Sequence, residues 1–356
     1  MINFENIFNK NLYSHDRNFK NPFFLKNYIK INNHHYKNCK NFKKFINNFK
    51  IITSKKNKQI EDFPMLPVNI FKFHQLISVP RDKIVKEMNS SGTTSNNLSK
   101  IFLDKENSLN QKKTLCKIVE NIIGKERLPM LIVEKKSIIH ERKNFNAKVA
   151  AITGFSLFGK NYTYLIKEDN QIDYNELNKF LNQNKDKKFL IFGFTSQIYE
   201  NLINKLSVRT IEGNFKKAIL IHGGGWKKLE EKKINNSLFK KKIKEKLSKK
   251  NIFNYYGMIE QTGTIFFECK HGFFHTTIFS DIFIRDKNLN VLSHNKKGII
   301  QLISLIPTSY PGHNILTEDI GLIAGEDNCK CGLKGKYFKV EGRIKQSEVR
   351  GCSDVR

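Results

Sequence analysis

Apolar residues between positions 107 and 256 recur in two spacings that alternate along the chain. Helical spacing, with an apolar side chain every three or four positions, is found at residues 107–123, 174–184 and 238–249, with Ser237 as a candidate cap of the third helix. Short continuous apolar runs typical of buried strands are found at residues 129–134, 149–153, 188–193, 217–222 and 252–256. The alternation predicts an α/β architecture with helices on the faces of the sheet.

The two ends of the chain follow other patterns. Strand-like runs at residues 264–269, 273–279, 282–285 and 298–305 predict a more antiparallel β portion near the carboxyl terminus. Residues 1–60 are polar, basic and aromatic without a strong period, which predicts helical pieces and loops. We therefore expect an amino-terminal extension (1–60), a main domain (61–345) and a carboxyl-terminal tail (346–356).

The charge balance is strongly basic, since 63 lysines and arginines face 33 acidic residues in 356, a net charge of +30. The lysines are scattered along the whole chain beside asparagines and isoleucines, as the codons of an AT-rich genome would produce. We therefore expect no nucleic-acid partner. No apolar run is long enough to span a membrane, and residues 1–20 lack a signal-peptide core, so we expect a cytoplasmic protein.

Four motifs indicate nucleotide chemistry. The first is a run of hydroxyl side chains around one glycine, a loop type that offers backbone N–H groups and hydroxyls to a phosphate chain, although many such loops bind nothing. It consists of Ser90, Ser91, Gly92, Thr93, Thr94 and Ser95. The string Tyr256-Gly257-Met258-Ile259-Glu260 follows, then a predicted Thr317-Glu318-Asp319 turn, and finally Gly342-Arg343-Ile344-Lys345.

In this order the motifs resemble those of the adenylate-forming superfamily, whose members make acyl-AMP from a carboxylic acid and ATP. The strings at residues 222–227 and 350–354 resemble, more narrowly, the LuxE-type acyl-protein synthetase family from about residue 60 onward. The resemblance implies an α/β fold, the large amino-terminal domain of the adenylate-forming fold, with mixed sheets and flanking helices. Because the chain stops at Arg356, soon after the Gly-Arg hinge, we expect the small carboxyl-terminal lid domain to be absent.

The resemblance implies roles for the motif residues. The hydroxyl loop would hold the phosphates of ATP, and Glu260 would hold Mg²⁺ beside them. Asp319 would accept hydrogen bonds from the ribose hydroxyls, and Arg343 would donate to the ribose or a phosphate. The residues that would lie against the nucleotide or the acyl group are Gly223, Gly224, Gly225, Tyr256 and Gly257. For each residue taken alone, a solvated loop position is the alternative.

Cys352 matches the cysteine that accepts the acyl group in LuxE-type proteins. Arg350 lies two residues before it, and nearby cations favour the nucleophilic thiolate. The alternative is an inert thiol at a frayed terminus.

A second group of cysteines and histidines has the composition of a metal site. Cys269, His275, Cys329 and Cys331, with His271 nearby, could supply the ligands of a structural Zn²⁺ ion. Their spacing is not that of a standard zinc finger, so unliganded thiols and histidines are the alternative.

Together these motifs predict ATP-dependent activation of a carboxylic acid, expected to be a fatty acid, followed by acyl transfer to a cysteine and then to a partner such as a reductase. One alternative is a ligase that uses coenzyme A or a carrier protein. Another is a degenerate protein that binds a nucleotide or a partner without turnover, since Ile259 and Gln346 depart from the residues common in the superfamily.

Overall fold

A computed structural model describes residues 2, 4–48, 59–90, 98–139, 147–225, 234–248 and 251–344. The chain divides into two compact units. The first unit comprises residues 1–88, 97–118 and 257–348, and the second comprises residues 89–96, 119–256 and 349–356. The domain boundaries expected at residues 60 and 345 stay a prediction.

The described residues contain nine α-helices and fourteen strands. The helices are α1 (Phe4–Phe8), α2 (Arg17–Asn38), α3 (Lys40–Asn48), α4 (Ile70–Phe73), α5 (Lys105–Ile123), α6 (Ala147–Ser156), α7 (Tyr174–Gln183), α8 (Thr195–Ile198) and α9 (Asn236–Leu247). The strands are β1 (Leu66–Pro67), β2 (Ile84–Asn89), β3 (Lys100–Asp104), β4 (Leu128–Lys135), β5 (Gly159–Ile166), β6 (Phe189–Phe194), β7 (Ala218–Gly223), β8 (Ile252–Tyr256), β9 (Phe266–Phe267), β10 (Phe274–His275), β11 (Ser280–Arg285), β12 (Gly298–Ser304), β13 (Asn314–Glu326) and β14 (Lys336–Arg343).

Five strands of the second unit pair in parallel, in the order β5-β4-β6-β7-β8. Every residue of β6 and β7 is buried, because a central parallel strand is covered on both faces. Leu177 and Phe180 of α7, Leu202 after α8 and Phe239 of α9 pack in its apolar core. The predicted α/β architecture is therefore confirmed, and the parallel arrangement places the carboxyl ends of β6 to β8 at one edge.

Two local predictions in this unit need correction, and one strand was missed. Residues 149–153 lie in α6 and not in a strand, because a short apolar run fits a buried helix as well as a strand. The cap of α9 is Asn235, whose side chain accepts a hydrogen bond from Leu238 N at 2.8 Å, and not Ser237. The edge strand β5 was missed because its first half is largely exposed and polar.

The first unit contains the antiparallel portion predicted near the carboxyl terminus. Its strands are ordered β10-β14-β13-β12-β11, and β1 pairs in parallel with β13. The predicted runs at 264–269 and 273–279 shrink to the two-residue strands β9 and β10. The long strands β13 and β14 were not predicted.

The amino-terminal residues form helices that pack in the first unit, in agreement with the helical pieces expected there. Asp16 caps α2 by accepting a hydrogen bond from Phe19 N, and Phe24, Tyr28 and His35 of this helix are buried. None of the described helices combines the length and the apolar character needed to cross a membrane. The cytoplasmic location stays a prediction.

Candidate active site

Glu260 lies on a short 3₁₀ turn, residues 259–261, that follows the end of β8 and Gly257. Its side chain is buried and hydrogen-bonded to the Ser99 side chain. Burial raises the pKa of this carboxyl group, while the Ser99 hydrogen bond and the charge of Arg343 act in the opposite direction. A Cβ atom at Gly312 would lie 2.5 Å from the Glu260 carbonyl oxygen, so only glycine lets the two segments approach this closely.

Asp319 and Arg343 are partners across β13 and β14. Arg343 Nε donates to Asp319 Oδ1 at 3.1 Å. Asp319 lies inside a strand and not in the predicted turn, and its N–H donates to Thr317 Oγ1 at 3.1 Å. Arg343 also acts electrostatically on Glu260, so this one arginine influences both acidic residues in the first unit.

The chemistry of this group suits a hard cation beside a nucleotide. A buried carboxylate whose side-chain hydrogen bond comes from a neutral hydroxyl is the oxygen donor type that Mg²⁺ prefers. The planar guanidinium of Arg343 can donate to a ribose or phosphate oxygen. The residues present therefore fit the Mg²⁺ site expected at Glu260.

Gly223 and Gly224 stand at the end of β7 in the second unit. A Cβ atom at Gly223 would lie 2.4 Å from the Tyr255 ring, and Gly224 has a φ of +81°. Both positions therefore require glycine. At Gly225, in contrast, no described atom lies within 4 Å of an added Cβ atom.

His222 immediately precedes these glycines and is buried. Its Nδ1 lies 3.0 Å from Thr195 Oγ1, and Thr195 is the first residue of α8. Burial lowers the pKa of His222 to about 3, with a smaller contribution from the charge of Lys240, so the ring is neutral. A neutral imidazole and a hydroxyl group are thus placed at the carboxyl edge of the parallel sheet.

The structure describes only some of the remaining predicted nucleotide-site residues. Ser90 directly follows β2 and is half-buried, and Tyr256 ends β8 and is half-buried. The loop residues Ser91, Gly92, Thr93, Thr94 and Ser95, and the predicted acceptor Cys352, lie outside the described residues.

Sequence reasoning missed two residues that position Glu260. Ser99 supplies the hydrogen bond to its carboxylate, and Gly312 makes room for its backbone. Neither residue belongs to a motif. A glycine between Pro311 and His313 is the only sequence signal for the second, and nothing in the sequence singles out Ser99.

The predicted cysteine–histidine cluster is assembled in the first unit. The Sγ atoms of Cys269, Cys329 and Cys331 and a ring nitrogen of His275 all lie within 4.8 Å of one another. Cys269 Sγ lies 4.0 Å from Cys329 Sγ, and Cys331 Sγ lies 3.3 Å from His275 Nε2. A tetrahedral zinc ion with Zn–S bonds of about 2.3 Å separates its ligand atoms by about 3.8 Å, which agrees with these distances.

Two turns of the same form present the cysteines. Gly272 N donates to Cys269 O, and Gly332 N donates to Cys329 O, both at 2.9 Å. Each glycine is the fourth residue of its Cys-x-x-Gly turn and has a positive φ, of 82° and 88°. The His271 N–H also donates to Cys269 Sγ at 3.4 Å. The donor set of three sulfurs and one nitrogen fits zinc.

Comparisons with known proteins identify the family. A family model described as acyl-protein synthetase, LuxE, matches residues 4–356. The long-chain-fatty-acid–luciferin-component ligase of Vibrio harveyi is 22% identical over 341 residues, which are 90% of this chain and 83% of that protein.

Two solved structures are similar to this chain. A 2-hydroxyisobutyryl-CoA ligase in complex with 2-HIB-AMP and CoA is 13% identical with a TM-score of 0.67, over 94% of this chain and 70% of its own. ATP-bound MatB from Rhodopseudomonas palustris is 15% identical with a TM-score of 0.48, over 75% of this chain. This chain spans about half the length of that MatB protein, at 49%.

The likeness to the 2-hydroxyisobutyryl-CoA ligase defines the fold as that of the adenylate-forming ligases. Within that class the family model accounts for nearly every residue. The chain belongs to the LuxE acyl-protein synthetase family, as its motifs indicated.

Proposed function

We propose that this protein is an acid–thiol ligase that activates a carboxylic acid with ATP and transfers the acyl group to its own Cys352. The observation that carries the proposal is the family match over residues 4–356. The buried Glu260 beside Arg343 supports it, because activation brings two anions together and needs their charge offset.

The proposed reaction has two steps. In the first, a carboxylate oxygen attacks the α-phosphorus of ATP, and pyrophosphate leaves as acyl-AMP forms. Asp319 and Arg343 orient the ribose, and Glu260 would hold the Mg²⁺ ion that offsets the phosphate charge. In the second step the Cys352 thiolate attacks the acyl carbonyl, a thioester forms, and AMP leaves.

The substrate we propose is a fatty acid, and the final acceptor is a partner protein such as a reductase. Support for the fatty acid comes from the Vibrio harveyi relative, which is named as a long-chain-fatty-acid ligase. Transfer from a cysteine thioester suits a partner with a nucleophile or a reducing group, since a thioester is more reactive than the free acid.

The first experiment is ATP–pyrophosphate exchange across carboxylic acids from acetate to palmitate, with aryl and amino acids included. Exchange with the longer fatty acids and not with the others is the expected result. Glu260→Gln should lower the exchange rate by about 100-fold, because a preorganised charge is lost, whereas Glu341→Gln on the exposed face of β14 should leave it unchanged. A folded protein that exchanges with no acid contradicts the proposal.

The acceptor is tested with a labelled fatty acid and ATP. Cys352→Ser should retain exchange but form no covalent adduct, while Cys116→Ser, which removes a thiol of α5, should form the adduct normally. An adduct of undiminished amount in Cys352→Ser excludes this residue as the acceptor. Release of AMP that depends on coenzyme A would favour a CoA ligase instead.

We also propose that Cys269, His275, Cys329 and Cys331 bind a structural zinc ion. The support is the donor set, its ligand spacing and the two matching turns. Metal analysis of the purified chain should find about one zinc ion per molecule. Cys331→Ser should lose most of it and Cys116→Ser should retain it.

A further inference from the structure

Residues 12–20 of the chain, here called the docking segment, contact the two stretches that carry the cysteine–histidine cluster. Ile278 N donates to Leu12 O at 3.0 Å, and Lys334 N donates to Tyr13 O at 2.8 Å. Ile278 lies three residues after His275, and Lys334 lies three residues after Cys331. Both backbone contacts are therefore made by residues three positions after a proposed zinc ligand.

The loop between β13 and β14, residues 327–335, is hydrogen-bonded to the start of α2. Asp327 Oδ2 accepts a hydrogen bond from Arg17 N at 2.9 Å, and Asp327 Oδ1 accepts one from Gly335 N at 2.7 Å. One carboxylate thus joins the first turn of α2 to the far end of the loop. Asp327 lies two residues before Cys329, so the conformation that presents this carboxylate is the one that also presents the thiols.

Lys20 continues these contacts into the interior of the unit. The residue is 2% exposed, and its ammonium group donates to Thr276 Oγ1 at 2.9 Å and lies 3.8 Å from Asp281 Oδ1. Thr276 directly follows His275, and Thr276 N in turn donates to Lys336 O at 3.0 Å. A buried ammonium group is stable only while these oxygen partners stay in place.

Hydrogen bonds also close the loop itself, since Asp327 N donates to Gly335 O at 3.1 Å and the Tyr337 hydroxyl donates to Asn328 Oδ1 at 2.9 Å. Asp327, Gly332 and Gly335 have positive φ values of 64°, 88° and 85°, and only Asp327 is a residue type in which such values are uncommon. Thiols are weak hydrogen-bonding groups, so the cluster without metal holds the two turns together only loosely. A metal ion that joins all four side chains would hold the loop and His275 in one conformation.

We infer that metal occupancy of the cluster controls whether the docking segment stays bound, so that loss of the metal releases residues 12–20 and loosens the start of α2. The inference rests on the zinc site proposed above. It adds a regulatory consequence, because the metal state of the cluster would set the position of the amino-terminal segment. The ligand is zinc, and the segment released is part of the same chain.

Hydrogen–deuterium exchange at the three donor amides, those of Arg17, Ile278 and Lys334, measures the docking directly. In the zinc-loaded protein these amides should be protected. After chelation, or in Cys331→Ser, they should exchange at least about 10-fold faster, and zinc should restore protection in the chelated wild type. Exchange in α7 of the second unit should not change, which separates local release from unfolding.

Thermodynamic linkage provides a second test. If bound zinc strengthens docking of residues 12–20, then docking must strengthen zinc binding by the same factor. Arg17→Pro removes the N–H that donates to Asp327, and proline is well accommodated at the first residue of a helix. Arg17→Ala removes the side chain but keeps this N–H and is the matched control. Arg17→Pro should bind zinc about 5-fold or more weakly than Arg17→Ala.

The outcomes separate the two proposals. Stoichiometric zinc with faster exchange after its removal supports both. Stoichiometric zinc with unchanged exchange at Arg17, Ile278 and Lys334, or equal zinc affinity of the two Arg17 variants, overturns the control of docking and leaves the zinc site standing. A folded protein that binds no zinc overturns both. Because chelation uses the wild-type chain, a folding defect in Cys331→Ser does not prevent the test.

Discussion

Arg343 and Asp319 form an ion pair across β14 and β13, with Arg343 Nε 3.1 Å from Asp319 Oδ1. The Asp319 side chain is 12% exposed and the Arg343 side chain 40%, so the pair reaches from the sheet interior toward solvent. Both residues come from motifs that suggested nucleotide binding. The pair orients the carboxylate and the guanidinium relative to each other before any ligand arrives.

Arg343→Lys tests the nucleotide role of this pair. A lysine keeps the charge but loses the planar group that can donate to two oxygens at once, so we expect the KM for ATP in pyrophosphate exchange to rise about 10-fold. The free energy of unfolding should change by less than about 1 kcal/mol, because the pair is partly exposed. Glu341→Gln on the same strand is the control, and an unchanged KM in Arg343→Lys would remove this residue from the nucleotide site.

Gly223→Ala tests the close packing at the end of β7. The added methyl group would lie 2.4 Å from the Tyr255 ring, so we expect the free energy of unfolding to fall by about 1–3 kcal/mol in urea titrations. In Gly225→Ala the added methyl group meets no described atom, so the free energy of unfolding should fall by less than about 0.5 kcal/mol. Combining Gly223→Ala with Tyr255→Ala should cost less than the sum of the single changes, because the second change removes the clash. Strict additivity would show that the two residues do not touch.

His313 and His35 form a buried pair in the first unit, with stacked rings 4.7 Å apart. His313 Nε2 lies 3.2 Å from Asn32 Oδ1, while His35 Nδ1 lies 2.7 Å from Ser78 Oγ and its Nε2 lies 3.0 Å from Pro307 O. Burial lowers the pKa of His313 to about 3, with a smaller effect of His34, and lowers that of His35 well below its ordinary value.

This pair makes stability fall in mild acid. In the unfolded chain a histidine takes up a proton below about pH 6.5, whereas folded His313 stays neutral until about pH 3, so protons favour the unfolded state between these values. Between pH 7 and pH 5 we expect His313 alone to account for a loss of about 2 kcal/mol. Urea titrations of His313→Asn should show a shallower dependence on pH, and those of exposed His294→Asn the wild-type dependence. Identical slopes in all three proteins would contradict the assignment.

Local sequence patterns predicted those strands and helices in which burial follows one regular pattern along the element. The apolar runs of β4, β6 and β7 are buried along nearly their whole length, so a continuous run identified them correctly. The helices α5 and α7 were recognised for another reason, since each buries only one face and so shows a 3.6-residue period. In β13 buried and half-buried residues alternate, yet this strand was missed because its Thr-Glu-Asp string was interpreted as a turn. For α6, a short apolar run could not distinguish a buried helix from a strand.

By itself the sequence determined the family, the α/β class and the residue types of the candidate site. Motifs and periodicity determine these because they involve only residues that are close together in the chain. Only the tertiary structure decided which distant residues meet. Cys269 and Cys329 are 60 residues apart yet lie within 4.0 Å, and Lys20 reaches Thr276 across 256 residues. Such contacts depend on how strands pair and helices pack, which no local pattern contains. The assembled cysteine–histidine cluster, the Ser99–Glu260 hydrogen bond and the docking segment therefore became visible only in the folded chain.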